Sequence, residues 1–194
     1  MKLEPTPIEG LFTLHRPVHQ DKRGQFTRLF ATEGMVAAGR PTEAIHVNTS
    51  SSVEAGTLRG IHFQYPPFAE AKVVACTAGA IWDVGVDLRP ESPTRFKWFG
   101  KKLTPENGLS MVIPEGFGHA FITLEPNSTA VYVVSAVYAL DYEAGVRYDD
   151  PALAIDWPMV PTVLSQKDLS WGRIDERIDE IDILFSVRGR KYGK

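Results

Sequence analysis

Two short strings in this 194-residue chain place histidines where they can do chemistry: Gly60-Ile61-His62-Phe63-Gln64 and Pro114-Glu115-Gly116-Phe117-Gly118-His119. Histidine titrates nearest to neutral pH, so His62 is a natural general base or acid. It has a second chemical use. With Glu70 and His119 it makes a set of nitrogen and carboxylate donors for a metal ion. That set is weakened by Gln64, which stands two residues after His62 on the same strand face and is a poor ligand. The chain has one cysteine, Cys76, which can form neither an internal disulfide nor a zinc–thiolate cluster. We therefore expect no metal and no cofactor, with His62 free to move protons.

Such residues must be held by short strands. The 14 prolines and 16 glycines are spread through the chain rather than pooled, which leaves no linker, no repeat and mostly strand-like segments. Lys72-Val73-Val74-Ala75-Cys76 and Ile81 to Leu88 flank Gly79 and read as a hairpin. In the second run Trp82, Val84, Val86 and Leu88 share one face, and Asp83 and Asp87 the other. Phe96 to Leu103, Leu109 to Ile113, His119 to Leu124 and Ala130 to Tyr138 are further strands, which puts Tyr132 and Tyr138 on one face. Strands at this spacing predict an all-β sandwich or barrel. Two helical patches interrupt it. Thr32 to Ala38 is short, and Trp171, Ile174, Ile178, Ile181 and Phe185 form the apolar stripe of a C-terminal amphipathic helix. We divide the chain into a domain over residues 1–168 and a helix with a basic tail over 169–194.

Composition excludes several classes. The net charge of −3 lacks the basic excess of a general nucleic-acid binder. No run approaches the ~18–20 apolar residues of a membrane span. The opening MKLEPTPIEG has no apolar signal region, and the lone cysteine suits a reducing compartment, so we expect a cytoplasmic location.

The Pro114 to His119 string resembles the second motif of the cupins, and Gly60 to Gln64 resembles the first with its second histidine replaced. The implied fold is a cupin-like jelly roll. A closer resemblance follows. Thr57-Leu58-Arg59-Gly60-Ile61-His62-Phe63-Gln64 is similar to the signature of the dTDP-4-dehydrorhamnose 3,5-epimerases. So are Asp21-Lys22-Arg23-Gly24-Gln25-Phe26, Asp83 to Arg89, and Ile113 to Phe121. Tyr148 to Pro151, Ile155 to Pro158 and Leu164 to Asp168 continue the order, from about residue 10 to residue 168.

That resemblance implies epimerisation of a nucleotide-linked 4-keto-6-deoxyhexose at carbons 3 and 5. Both carbons flank a ketone, so loss of either proton gives an enolate that needs a base, a nearby cation and an acid on the opposite face. By position in the resemblance, His62 is the base and Asp168 orients it. Lys72 is the cation and Tyr132 the acid. Arg23 and Arg59 suit the diphosphate. His119 adds a donor, and Phe26 and Tyr138 pack against the base or ribose. Gln64, Asn48, His46 and Arg28 complete the substrate set. Each residue also has a plain structural use: Tyr132 as a strand aromatic, Lys72 as an edge lysine, Asp168 as a helix N-cap.

Two positions depart from the pattern. Arg28 stands where many rhamnose-pathway enzymes carry glutamate, and His46 replaces the glutamine of their Gln-Asp-Asn-His-Ser stretch. The nucleotide and the number of carbons inverted therefore stay open. So do a metal-dependent cupin enzyme, a ketoisomerase and a non-catalytic binder of nucleotide sugars. The resemblance also implies a homodimer in deoxysugar and cell-surface polysaccharide synthesis, with an N-terminal strand around Leu11 to Leu14 crossing to the partner.

Overall fold

The computed structural model describes residues 1–32 and 43–186. The helix expected after Thr32 and the basic tail beyond residue 186 lie outside the described residues. Two antiparallel sheets face each other. One runs in the order β1 (Lys2–Pro5), β2 (Phe12–His15), β10 (Leu109–Ile113), β7 (Lys72–Ala78), β12 (Ser128–Val134) and β5 (His46–Ser52). The other runs β13 (Glu143–Gly145), β6 (Leu58–Gln64), β11 (Phe117–Thr123), β8 (Ile81–Asp87) and β9 (Trp98–Leu103). A separate hairpin joins β3 (Val18–Asp21) to β4 (Gly24–Thr27). This is a cupin-like jelly roll, as expected.

Strand alternation sorts the side chains into three layers. Leu11, Val74, Ile81, Met111, Phe117 and Phe121 fill the space between the sheets. Val73, Val112 and Val133 are register partners and cluster on the outer face of the first sheet with Leu14. On the outer face of the second sheet, Val84, Val86 and Leu88 pack with Ile61, Phe63 and Ala120 under the C-terminal segment. The alternation in β8 thus follows the sequence. Its apolar side lies outside, and Asp83 lies on the inner side, where it meets His119 Nε2 at 2.7 Å.

Four expectations need correction. The chain turns at Gly79 (φ +64°), but β7 and β8 do not pair. They belong to opposite sheets, so the turn is a corner, and a Cβ at Gly79 would meet Ser128 Oγ at 2.3 Å. Strand β12 ends at Val134, so Tyr138 does not share a strand face with Tyr132. Phe96 sits at φ +61°, which delays β9 until Trp98. Strand β2 lies between β1 and β10 of its own sheet rather than crossing to a partner.

Two helices close the described chain, α1 (Gln166–Ser170) and α2 (Ile174–Ser186). Ser165 rather than Asp168 caps α1, accepting from the Asp168 amide at 3.0 Å. Trp171 precedes α2, whose Ile174 and Ile181 are buried against this chain's own sheet, while Ile178 is 38% exposed. No helix among the described residues is long and apolar enough to cross a membrane.

Candidate active site

Strand β6 carries an irregularity that decides what the site contains. Along β11, Phe121 pairs with Arg59 and His119 with His62, so β6 holds one extra residue between them. This is a β-bulge. In a regular strand Arg59 and His62, three apart, would point to opposite faces. Here both line one cavity. Gly60 makes the bulge possible: it sits at φ +130°, and a Cβ there would meet Ala120 Cβ at 2.4 Å.

The cavity has a volume of about 480 Å³ and is lined by Arg59, His62, Lys72, His119, Tyr132 and Asp168, among others. A second lobe of about 390 Å³ shares His62, Lys72 and Tyr132 with it and adds His46, Asn48, Gln64, Glu70, Tyr138 and Glu143. Parity explains much of this convergence. Lys72 and Val74 share one face of β7, and Val74 pairs with Tyr132, which pairs in turn with Asn48.

His62 Nε2 lies 2.5 Å from Asp168 Oδ1, and the Asp168 side chain is 4% exposed. Burial opposes a charge on Asp168. Hydrogen bonding and the charge of His62, with contacts to Ser165 and the Gly60 backbone, outweigh it and hold the carboxyl below the usual carboxylate range. An ionised Asp168 takes the proton of Nε2 as a hydrogen bond and leaves the Nδ1 lone pair for chemistry. Tyr132 is shifted the other way. Burial, and then the charge of Glu70, raise its phenol above the ordinary value against the opposing pull of Arg59. The phenol therefore keeps its proton at neutral pH, as an acid must. Lys72 Nζ is 2.7 Å from Glu70 Oε1, both side chains 12% exposed.

Residue types alone did not reveal some members of the site. Asp83 is fully buried and 2.7 Å from His119 Nε2, making a second histidine–aspartate pair. Glu143 accepts from Tyr138 at 2.7 Å and from Lys167 at 2.6 Å. Burial raises the Glu143 carboxyl, but Lys167 and Tyr138 together carry it below the usual range. Lys167 had a signal, standing beside Asp168 in the Leu164 to Asp168 string. Glu143 had none, because β13 is a three-residue strand recognisable only by its pairing with β6.

Other expected residues stand elsewhere. Gln64 faces the second lobe, yet its amide donates to the carbonyls of Phe68 and Val137 and accepts from the Ala139 amide, so it braces loops. Arg23, Phe26 and Arg28 do not line the cavity of their own chain. Arg23 pairs with Asp21 at 2.6 Å on the β3–β4 hairpin, and Phe26 beside it is 67% exposed. The basic side chains that line the cavity are Arg59, Lys72 and Lys167, without Arg23 or Arg28. The donors considered for a metal are each engaged, His62 by Asp168, His119 by Asp83 and Glu70 by Lys72.

What such a cavity can do is take a proton from carbon and return one, which defines the protein as a jelly-roll isomerase. The chain belongs to the dTDP-4-dehydrorhamnose 3,5-epimerase family, whose family model matches residues 5–176. It is 42% identical over 151 residues to a dTDP-4-dehydrorhamnose 3,5-epimerase of Sinorhizobium fredii, covering 77% of each chain. It is 39% identical over 169 residues to a dTDP-4-dehydrorhamnose 3-epimerase of Streptomyces niveus, covering 87% of this chain and 81% of that one. Its structure is similar to that of NovW, a 4-keto-6-deoxy sugar epimerase from the novobiocin biosynthetic gene cluster of Streptomyces spheroides. There the TM-score is 0.90 at 36% identity, covering 98% of this chain and 96% of that one.

Proposed function

We propose that this protein epimerises a nucleotide-diphospho-4-keto-6-deoxyhexose at C3, C5 or both, through an enolate and without a metal. The favoured reaction is dTDP-4-dehydro-6-deoxyglucose to dTDP-4-dehydrorhamnose. One observation carries the reading: the His62–Asp168 pair, Lys72 and the protonated Tyr132 line a single cavity. His62 Nδ1 takes the proton from the carbon beside the ketone. The C–H electron pair moves into the enolate, whose oxygen faces the Lys72 ammonium. Tyr132 then delivers its proton to the opposite face, and exchange with solvent restores both groups. Arg59 and His119 meet the diphosphate and sugar. The lobe of His46, Asn48 and Tyr138 takes the base.

Arg23, Phe26 and Arg28 fit this scheme if the protein is a homodimer whose β3–β4 hairpin reaches into the partner's cavity, which accounts for an exposed phenylalanine on a two-stranded arm. Mixing inactive His62→Ala with inactive Phe26→Ala chains then restores activity. A monomer with full activity refutes the dimer. With a single buried thiol, the protein suits the cytoplasm.

The test is deuterium exchange from solvent into a panel of nucleotide 4-keto-6-deoxyhexoses. Exchange at C3, C5 or both gives the number of carbons, and the preferred nucleotide shows what His46 reads. Folded protein that exchanges none of them overturns the proposal, as does full exchange by His62→Ala.

A further inference from the structure

The residues after Asp168 follow the last of the signature-like strings, and they pack directly on the His62–Asp168 pair. Trp171 is the key contact. Its ring centroid lies 6.3 Å from that of His62, with the two planes at 66°. The indole is pressed on the backbone beside the histidine: a Cβ at Gly145 would meet Trp171 Nε1 and Cε2 at 2.5 Å, and Gly145 is the register partner of His62. Trp171 is not among the residues lining either lobe, so it meets the imidazole from behind the cavity wall.

Helix α2 fixes the indole in place. Arg177 donates to the Gly145 carbonyl, and its guanidinium sits 5.9 Å over the Trp171 ring. Glu180 holds that guanidinium through both carboxylate oxygens, at 2.7 and 2.8 Å. Lys167, one residue before Asp168, is 6.0 Å from the same ring. The helix is itself anchored on the outer face of the catalytic strand. Ile174 and Ile181 share a buried cluster with Ile61 and Phe63, and Phe185 stacks on Phe63 at 5.4 Å. Ile61 and Phe63 are the neighbours of His62 in sequence. The strand and the indole are therefore fastened to one element.

We infer that Trp171 is a positioning residue for His62, and that α2 acts in the reaction by holding Trp171 through Arg177. The inference rests on the epimerase reading of the cavity. The physical reason is rotational freedom. One hydrogen bond to Asp168 leaves the imidazole free to swing about its Cβ–Cγ bond, and the indole edge removes that freedom. It also keeps water from the Nε2–carboxylate contact, so the base stays in the geometry that proton removal needs.

The test uses full-length Trp171→Leu, which keeps an apolar side chain, and Trp171→Phe, which keeps an aromatic one. With a substrate that the wild type exchanges, Trp171→Leu lowers kcat by about 10- to 100-fold, the cost of a misplaced catalytic group, and leaves KM within about threefold. Trp171→Phe recovers most of the loss. In an Asp168→Asn background, Trp171→Leu costs less than about a further threefold, because the pair it supports is already broken. Full multiplication of the two losses, or wild-type kcat with only a lowered Tm, overturns the inference. A ligand-free measurement separates it from the epimerase reading. The His62 ring signal in the NMR spectrum, assigned with His62→Ala, shifts and broadens in Trp171→Leu and is restored toward wild type in Trp171→Phe. If the wild type exchanges no substrate, the epimerase reading falls, and an unmoved His62 signal then removes the positioning role as well.

Discussion

Replacing Asp168 with asparagine tests the centre of the mechanism with little change of shape. The amide keeps the side-chain volume, and the Asp168 backbone amide still reaches Ser165 Oγ at 3.0 Å, so α1 keeps its cap. What is lost is a negative charge, 3% exposed, at 2.5 Å from His62 Nε2. A charge-assisted hydrogen bond contributes about 1.5–3 kcal/mol. Coulomb attraction between imidazolium and carboxylate, taken at ~4 Å with an effective dielectric of ~20, is about 4 kcal/mol. At about 1.4 kcal/mol per tenfold, these bracket a loss of kcat between about 10-fold and about 1000-fold. An amide NH₂ turned toward Nε2 would also favour the tautomer that places the proton on Nδ1, which pushes the result to the upper end. The assay is the initial rate of deuterium exchange under saturating substrate, beside thermal unfolding to show that the variant is folded. A folded Asp168→Asn enzyme within about threefold of wild type would refute the assigned role of the carboxylate. The pH dependence has a definite sign. The Asp168 carboxyl lies below its ordinary value, so its contribution to stability is present above about pH 4 and is lost as pH falls through the lowered folded value. No activity limb between about pH 5 and 8 belongs to it.

Three further outcomes are expected. Tyr132→Phe still allows His62 to remove a proton, so solvent deuterium enters the substrate with retention, while NMR finds inverted product reduced by about 100-fold or more; unchanged inversion would assign the acid to another group. Gly60→Ala places a methyl group 2.4 Å from Ala120 Cβ at φ +130°, and costs about 3 kcal/mol or more, read as a Tm lowered by about 6–12 °C. A Tm within about 2 °C of wild type would show that the bulge does not need glycine. Asp87 is buried, and burial opposes its charge, but Arg89, Ser92 and Thr94 hold its carboxyl below the usual range. Its stabilisation is therefore present above about pH 4 and lost as pH falls through the folded value, so urea unfolding of Asp87→Asn between about pH 4 and 2 should depend less on pH than that of wild type.

Much of the site was legible because local pattern carries local structure. A strand repeats every two residues, so the sequence shows β10 at its observed bounds, the two faces of β8, and His62 and Gln64 on one strand face. The order of strings from the family's signature determines the reaction class, and places His62, Lys72, Tyr132 and Asp168 in one set. Tertiary structure decided which strands are neighbours. Period two does not encode a partner, so β7 and β8 read as a hairpin although long-range pairing sends them to opposite sheets. The same limit hid the bulge that turns Arg59 onto the face of His62, the carboxylate of Asp83 behind His119, and Glu143 between Tyr138 and Lys167. Side chains as far apart in sequence as His62 and Asp168 meet only because closing the barrel and docking α2 bury enough apolar surface to hold them there.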